Sequence, residues 1–353
     1  MGLLRGLMMN PNPNIPIDKT TKIVIRKPLL SKIQDISMPR IFSGLYRVTT
    51  FKVLRTSTGK KYMRLQLDDS SGSITAYIWD GQYHGPWSFK SMGVVDVKGR
   101  SRYYNGEWVV DLKEASAKHD GISNALSLLP FSKCPVYELL PQLIKVENMI
   151  QNAALKSMLS NIFLDMEIAI PFMSVPGSLK HHHNEPGGLM KHSIECAQIV
   201  SNIELLNSEQ KDLAIVGALL HDMGKIRVFN DMTRTSLGYL VDHQALTLEV
   251  CAQQIRSLEQ AWPDGAFSLR HMLTCSSIKR WGYKPRMVIA HIVQLADKLS
   301  VELDMEKKSF SGVVATRNVS QCITNSQQSY WRPLTAAMPG GISDCCFDNT
   351  DGL

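Results

Sequence analysis

No stretch of this 353-residue chain approaches the roughly 18 consecutive apolar residues that span a bilayer. The first ten residues hold one arginine and a short apolar stretch, without a signal-peptide core or a small-residue cleavage site. Position 6 is glycine, not the Ser or Thr that N-myristoylation of Gly2 would need. A cytoplasmic protein without a membrane partner is the expectation. Cysteine is sparse and unpaired in pattern. Cys134, Cys196, Cys251, Cys275 and Cys322 are scattered, Cys345 and Cys346 are adjacent, and no C-x-x-C occurs. Neither a zinc ribbon nor a disulfide framework is therefore indicated, and free thiols are expected. No internal repeat is present.

What is there is unevenly distributed. The chain carries a net charge of +7. Residues 1–120 hold 19 lysines and arginines against 10 acidic residues, whereas the remainder holds 20 against 22. A basic first third joined to a near-neutral remainder suggests a polyanion-binding module attached to something else. We divide the chain into a leader (1–36), a strand-rich domain (37–120), a linker (121–140), a helical domain (141–310) and a polar, partly disordered tail (311–353).

The fold class expected is multidomain α+β, a five-stranded OB-type barrel followed by an all-α bundle. Leu45–Val53, Tyr62–Leu67 and Ile74–Trp79 are rich in β-branched and aromatic residues and are separated by Ser57-Thr58-Gly59-Lys60 and Asp68-Asp69-Ser70-Ser71-Gly72. Val94–Arg102 and Trp108–Leu112 follow, joined through the hairpin signal Asn105-Gly106. Five short strands, with a longer irregular stretch after the third, suit an OB barrel. The phrase from Tyr62 to Trp79, with Leu65-x-Leu67-Asp68-Asp69-Ser70-Ser71-Gly72 at its centre, resembles the OB-fold anticodon-binding-like domains that precede many nucleic-acid enzymes. Such barrels bind single strands by stacking and by a basic groove. Tyr46, Tyr62, Tyr77, Trp79, Tyr103 and Tyr104 are the candidate platforms. Arg47, Lys52, Arg64, Lys98, Arg100 and Arg102 are the candidate phosphate partners. Strand alternation alone does not say which of these face the barrel core.

From Val146 the apolar period becomes helical. Helices are predicted over 192–206, 209–220, 244–258, 266–274 and 285–302. In Leu219-Leu220-His221-Asp222-Met223-Gly224-Lys225 an apolar helix runs into an adjacent His and Asp, and Gly224 then breaks the helix. Neighbours on a helix point about 100° apart, so both reach one ion only if it sits near the helix end. A divalent ion accepts imidazole nitrogen and carboxylate oxygen together. Upstream, a Gly187-Gly188 turn places His192 at the start of a helix, and downstream an apolar helix carries Asp297.

The order His, His-Asp, Asp resembles the HD superfamily of metal-dependent phosphohydrolases. Carried over, the resemblance implies that His192, His221, Asp222 and Asp297 hold a divalent ion, Mn²⁺ foremost, with Mg²⁺, Fe²⁺, Ni²⁺ or Co²⁺ as alternatives. The Pro-Gly-Gly-Leu-x-x-His phrase is similar to two branches: the YhaM-type 3′-to-5′ exoribonucleases, which also carry an N-terminal OB domain, and the TraI-like relaxase domain of conjugative elements. In the first branch His243 falls on a further ligand, for a second metal or a phosphate contact. Asp222 would bridge the metal and orient water. Lys225 is a phosphate clamp or leaving-group stabiliser, or else a solvated helix-end lysine. His181, His182 and His183 contribute to a phosphate or metal shell or form a polar loop; His271 and His291 are read as structural. The chain departs from the YhaM branch at Ser276 and Ser277, where that branch has histidines, and at Gln294. One tight metal, rather than two, is therefore the expectation. The function implied is a nuclease or phosphodiesterase on single-stranded RNA or DNA, weighed against two alternatives: a nucleic-acid-binding accessory or relaxase-like protein with a degenerate site, and a nucleotide phosphohydrolase. The partner expected is single-stranded nucleic acid, and self-association is left open.

Overall fold

The structure, a computed structural model, describes residues 32–83, 93–118, 128, 134–275, 283–325 and 327–334. The first part is a closed barrel of strands β1 (Ile41–Arg55), β2 (Lys61–Asp69), β3 (Gly72–Trp79), β4 (Val94–Tyr104) and β5 (Glu107–Lys118), in the order β1-β2-β3-β5-β4. All pairings are antiparallel except β3 with β5. β1 serves both β4 and β2 because it is long, and its register to β2 shifts between Val48 and Thr50. Closure removes exposed strand edges. Alternate residues, among them Phe42, Met63, Leu65, Leu67, Ile78 and Leu112, fill the interior. The Asp-Asp-Ser-Ser-Gly phrase is a side-chain-capped turn: Asp69 Oδ1 accepts from Ser71 N (2.7 Å) and Gly72 N (3.0 Å), and its Oδ2 accepts from Ile33 N (2.9 Å). That phrase is thus structural.

The second part is helical: α1 (Leu140–Met149), α2 (Ala153–Leu164), α3 (Met166–Ser174), α4 (Gly188–Ser201), α5 (Ser208–Leu220), a single turn α6 (Lys225–Val228), α7 (Ser236–Leu240), α8 (His243–Val250), α9 (Ala252–Ala261), α10 (Pro263–Thr274) and α11 (Val288–Ser309). Between α6 and α7 lies a small hairpin, Phe229–Asn230 paired with Thr233–Arg234. α5 is the central element. A capping box of Asn207 and Gln210 starts it, and every residue from Asp212 to Leu220 is buried. α4 and α11 pack on it and on each other. The core around them includes Phe163 and Phe172, whose ring centroids are 5.4 Å apart; each such burial contributes about 1.5–3 kcal/mol. The expected helix over 244–258 is broken at Cys251 into α8 and α9, and α3, α7 and the single turn α6 have no counterpart among the predicted helices.

One further feature departs from expectation. Arg47, read as a phosphate partner, is wholly buried, and its Nη2 donates to Leu164 O (2.6 Å) at the end of α2. Burial lowers it to about 10, against the pull of Asp68 and Asp165. It ties the barrel to the helical part. Part of the polar tail is ordered: Val319–Gln321 pairs with Ser329–Trp331, and Tyr330 donates to Glu302 of α11 (2.8 Å). Among the described residues no helix is long and apolar enough to cross a membrane.

Candidate metal centre and nucleic-acid face

Two close backbone approaches build the centre. Gly187 has φ +76°, the left-handed conformation that glycine adopts without strain, and caps α4. A Cβ on Gly188 would lie 2.0 Å from His183 O, so only glycine lets the histidine loop lie against the helix start. His192 follows one turn later, buried. At the other end of the sequence motif, α5 stops at Leu220; His221 is its C-cap and Asp222 lies in the turn beyond. Gly224 does not break the helix by adopting a left-handed conformation, since its φ is −61°. Instead, a Cβ there would meet His243 O at 1.9 Å. Its N–H donates to Thr247 Oγ1 (2.8 Å), which pins α8, and hence His243, against the His-Asp turn.

His192, His221, Asp222 and Asp297 are brought together. His192 Nε2 lies 3.2 Å from His221 Nε2, 3.2 Å from Asp297 Oδ1 and 3.6 Å from Asp222 Oδ2. His221 Nε2 lies 3.5 Å from Asp222 Oδ2 and 3.8 Å from Asp297 Oδ1. Donors each about 2.0–2.2 Å from one ion stand about 3–3.5 Å apart, so the separations fit a shared cation. The ring tautomers point the same way. His221 Nδ1 lies 2.8 Å from Ala218 O, which can only accept, so Nδ1 carries the proton. Ser300 Oγ donates to Glu195 Oε2 (2.8 Å) and accepts from His192 Nδ1 (3.0 Å). Both Nε2 lone pairs therefore face each other across 3.2 Å beside two carboxylates, an arrangement that only a cation or a proton relieves. Consistently, burial disfavours charge on His221, but Asp222 and Asp297 outweigh it and raise the imidazole to about 9. Burial opposes charge on both carboxylates as well. Lys225 and His221 nevertheless hold Asp222 far below the usual carboxylate range, and His192 and His221 hold Asp297 low. Cys196 Sγ lies 3.8 Å from the ring nitrogens of His192, with its thiol pushed up by burial.

A second layer orients the first. Ser300 Oγ is also 3.1 Å from His183 Nε2, and that ring lies 3.3 Å from Glu195 Oε2 and 3.6 Å from Asp304 Oδ1. His183 N donates to Asp304 Oδ2 (2.8 Å). Lys191 and Lys308 pair with Glu185 and Asp304 around this cluster, which marks it as an ion-pair network. The three histidines of the loop thus differ: His183 is fully buried in the second layer, His182 lies tilted beside His192 (ring centroids 5.7 Å), and His181 is exposed. Burial, with Lys225 and His192 nearby, lowers His182 to about 4. Ser300, Glu195 and Asp304 escape sequence reasoning, yet they sit at helical spacing: Glu195 is three residues after His192, Ser300 three after Asp297, and Asp304 four after Ser300.

On the open side, Asp222 presents Oδ1 to His243 Nε2 (3.2 Å) and Oδ2 to Lys225 Nζ (2.5 Å). Lys225 is largely buried, which removes the reading of a solvated helix-end lysine. A cavity of about 340 Å³ opens here, between His221, Asp222, His243, Cys275, Gln294 and Asp297. Gln294 Nε2 donates to Cys275 O (3.2 Å) on its wall. Ser276 and Ser277 lie outside the described residues. His271 accepts from Arg286 N (2.9 Å) and His291 is exposed, both away from the centre's contacts.

The barrel carries a separate feature. Tyr62, Tyr77 and Trp79 form a half-buried stack on β2 and β3, with Trp79 5.2 Å from Tyr62 and 5.5 Å from Tyr77. Cross-strand pairing places Lys52, Arg64 and Tyr77 in one row, continued by Asp111 and Arg100. Arg102 is held by Asp111 Oδ2 (2.5 Å) and lies over the Tyr104 ring at 4.7 Å. Tyr103 packs edge-on against Trp108. Lys98 is exposed, 3.8 Å from Glu114. Tyr46, expected as a stacking platform, instead stacks on Phe42 at 4.5 Å inside the barrel and offers no surface. Arg47, buried against Leu164, is likewise absent from the face.

Residues 189–302 match the family model for the HD domain. The chain is also similar to curated proteins named 3′-5′ exoribonuclease YhaM. With that of Bacillus subtilis (strain 168) it is 25% identical over 288 residues, covering 78% of this chain and 90% of the relative. The Shouchella clausii protein gives 25% over 287 residues (78% and 88%), and the Listeria monocytogenes serotype 4b protein 25% over 291 residues (79% and 90%).

Proposed function

We propose that this HD-domain protein, which resembles the YhaM exoribonucleases over most of its length, is a metal-dependent phosphodiesterase that shortens single-stranded nucleic acid. The observation that carries the reading is the facing pair of imidazole lone pairs, His192 and His221, between Asp222 and Asp297. These four side chains would hold one divalent ion tightly. When bound, such an ion polarises a phosphoryl oxygen and acidifies water. The protein's own groups do the rest. Asp222 shares its two oxygens between the ligand cluster and His243, so His243 is set to pass a proton at Asp222 Oδ1 or to hold a second ion loosely. Lys225 brings a positive charge to the phosphoryl oxygens. The Tyr62–Trp79–Tyr77 stack, with Lys52, Arg64, Arg100 and Arg102 about it, would hold the strand by base stacking and phosphate contact. The names of the relatives favour a 3′ end and RNA as substrate. An intact ligand set favours this reading over a degenerate accessory protein, and the aromatic barrel face favours strands over free nucleotides.

The test is metal content and turnover together. Asp222→Ala is expected to lose the bound ion and all hydrolysis of 5′-labelled and 3′-labelled single strands, with the helical circular-dichroism signal retained. Calorimetric titration of the metal-free wild type with Mn²⁺ is expected to show one tight site. Undiminished metal in the variant would refute the ligand assignment, and two equally tight sites would refute the one-ion reading.

A further inference from the structure

A second, larger cavity adjoins the metal centre and shares His243 with the first. Its volume is about 740 Å³, and it runs between the loop 177–181 and the segment 228–243. Lys225 and His243, the two residues that touch Asp222 from the open side, form its inner end. Its cationic side chains are Lys180, Lys225 and Arg234; its one carboxylate, Asp242, is engaged, lying 3.2 Å from His243 Nδ1 and capping α8 through Gln244 N. At the outer end Arg234 lies 5.6 Å from the Tyr239 ring and 5.9 Å from the Phe229 ring, with Nη1 donating to Gly238 O (3.2 Å). Tyr239 is 74% exposed, an aromatic left in water on the lip of a basic groove.

These features have a physical cause in the chain. A Cβ on Gly238 would lie 2.6 Å from Val228 O, so the α7 turn lies directly on α6. Thr235 Oγ1 accepts from Gly238 N (3.0 Å) and donates to Arg227 O (2.7 Å). The 228–243 segment is thereby a fixed wall, and Tyr239 and Arg234 are held on it where neither contributes to the core. A solvent-facing ring beside a guanidinium, a lysine on the opposite wall and a second lysine at the reacting centre make a track for a chain of phosphates with flat bases between them. A mononucleotide would need only the inner end; the aromatic lip is useful only to a ligand that extends outward.

We infer that this groove is the channel for the strand: Tyr239 stacks a base, while Arg234 and Lys180 hold the flanking phosphates, so that the scissile linkage reaches Asp222 and Lys225. The inference rests on the phosphodiesterase reading and names where that substrate lies. Tyr239, Arg234 and Lys180 are positioning residues that touch the strand, distinct from the barrel face, which grips it farther from the cut.

Photocrosslinking of the full chain tests it without requiring turnover. Single strands carrying 4-thiouridine at successive positions from the 3′ end are irradiated with metal-free protein, and the labelled peptides are mapped. A crosslink in the 228–243 segment is expected from a position near the end. Tyr239→Ala should weaken that crosslink about tenfold, the effect of losing one base stack, and Tyr239→Phe should restore it. Lys180→Ala with Arg234→Ala should weaken it at least as much and make the remainder less salt-dependent. Arg256→Ala, an exposed cation outside the groove, is the control. Crosslinks confined to the barrel, or a 228–243 crosslink indifferent to all these variants, would overturn the channel. Hydrolysis of bis(p-nitrophenyl) phosphate by the Mn²⁺-loaded wild type reports separately on the underlying reading. Turnover without the crosslink refutes the channel alone, and the crosslink without turnover refutes the phosphodiesterase alone.

Discussion

Ser300→Ala is the change that most directly probes how the second layer serves the first. The hydroxyl is completely buried. It accepts from His192 Nδ1 at 3.0 Å, donates to Glu195 Oε2 at 2.8 Å and lies 3.1 Å from His183 Nε2. After truncation His183 Nε2 still has Glu195 Oε2 at 3.3 Å, whereas His192 Nδ1 keeps only the Cys196 sulfur at 3.8 Å. One buried donor is left unsatisfied, which costs about 1–3 kcal/mol. His192 escapes that cost by moving its proton to Nε2, where Asp297 Oδ1 accepts it at 3.2 Å. In that tautomer the nitrogen has no lone pair for a cation. Metal affinity should fall about 10- to 100-fold, as is usual when an orienting partner is lost; that is about 1.4–2.7 kcal/mol. In chelator the variant should melt only a few degrees lower, because the tautomer shift recovers most of the lost bonding. Competition titration of Mn²⁺ against an indicator, with parallel thermal melts, measures both quantities. Metal affinity within twofold of wild type, together with a large drop in melting temperature, would show that Ser300 only packs the core and that the tautomer reasoning is wrong.

Metal binding should depend on pH because the ion displaces the proton that Asp222 and Asp297 stabilise on His221. With that imidazole raised to about 9, apparent affinity should rise up to about tenfold per pH unit from 7 towards 9 in buffered calorimetry, and a flat profile would refute it. The sign for stability is opposite in the metal-free protein. A raised folded value gives stabilisation that is full below about 6.5 and is lost as pH rises through about 9, so chelated protein should melt lower at pH 9.5 than at pH 6. Gly224→Ala puts a methyl where His243 O stands 1.9 Å away. α8 must move, so the variant should lower both melting temperature and turnover, and normal values for both would show the contact to be soft. On the barrel, Trp79→Ala should weaken single-strand binding by the full chain about tenfold. Wild-type binding should fall with salt at a log–log slope of about −0.7 per phosphate contacted, both read by fluorescence anisotropy.

The order of the chemistry is legible in the sequence because its parts are local. An apolar helix that ends in His221-Asp222, a glycine pair one turn before His192 and a lone carboxylate at Asp297 on an apolar helix each report their own backbone context. The strand alternation from Leu45 to Leu112 likewise reports a barrel, since side chains must alternate between interior and solvent. What period-two alternation cannot report is which face closes inward or which outer residue a second domain covers, and so Tyr46 and Arg47 read alike with Tyr62 and Tyr77 although closure buries Tyr46 and packing against the end of α2 buries Arg47. The same limit hides Ser300, Glu195 and Asp304, ordinary polar residues whose role exists only because α4 and α11 lie side by side and bring them to His192 and His183. Gly224 is legible as a helix stop, but tertiary packing gives it a different role. It admits α8 at a distance no side chain allows, and so sets His243 beside Asp222. Residue type and spacing decided what could bind a cation; the approach of elements far apart in sequence decided which nitrogen lone pairs face it.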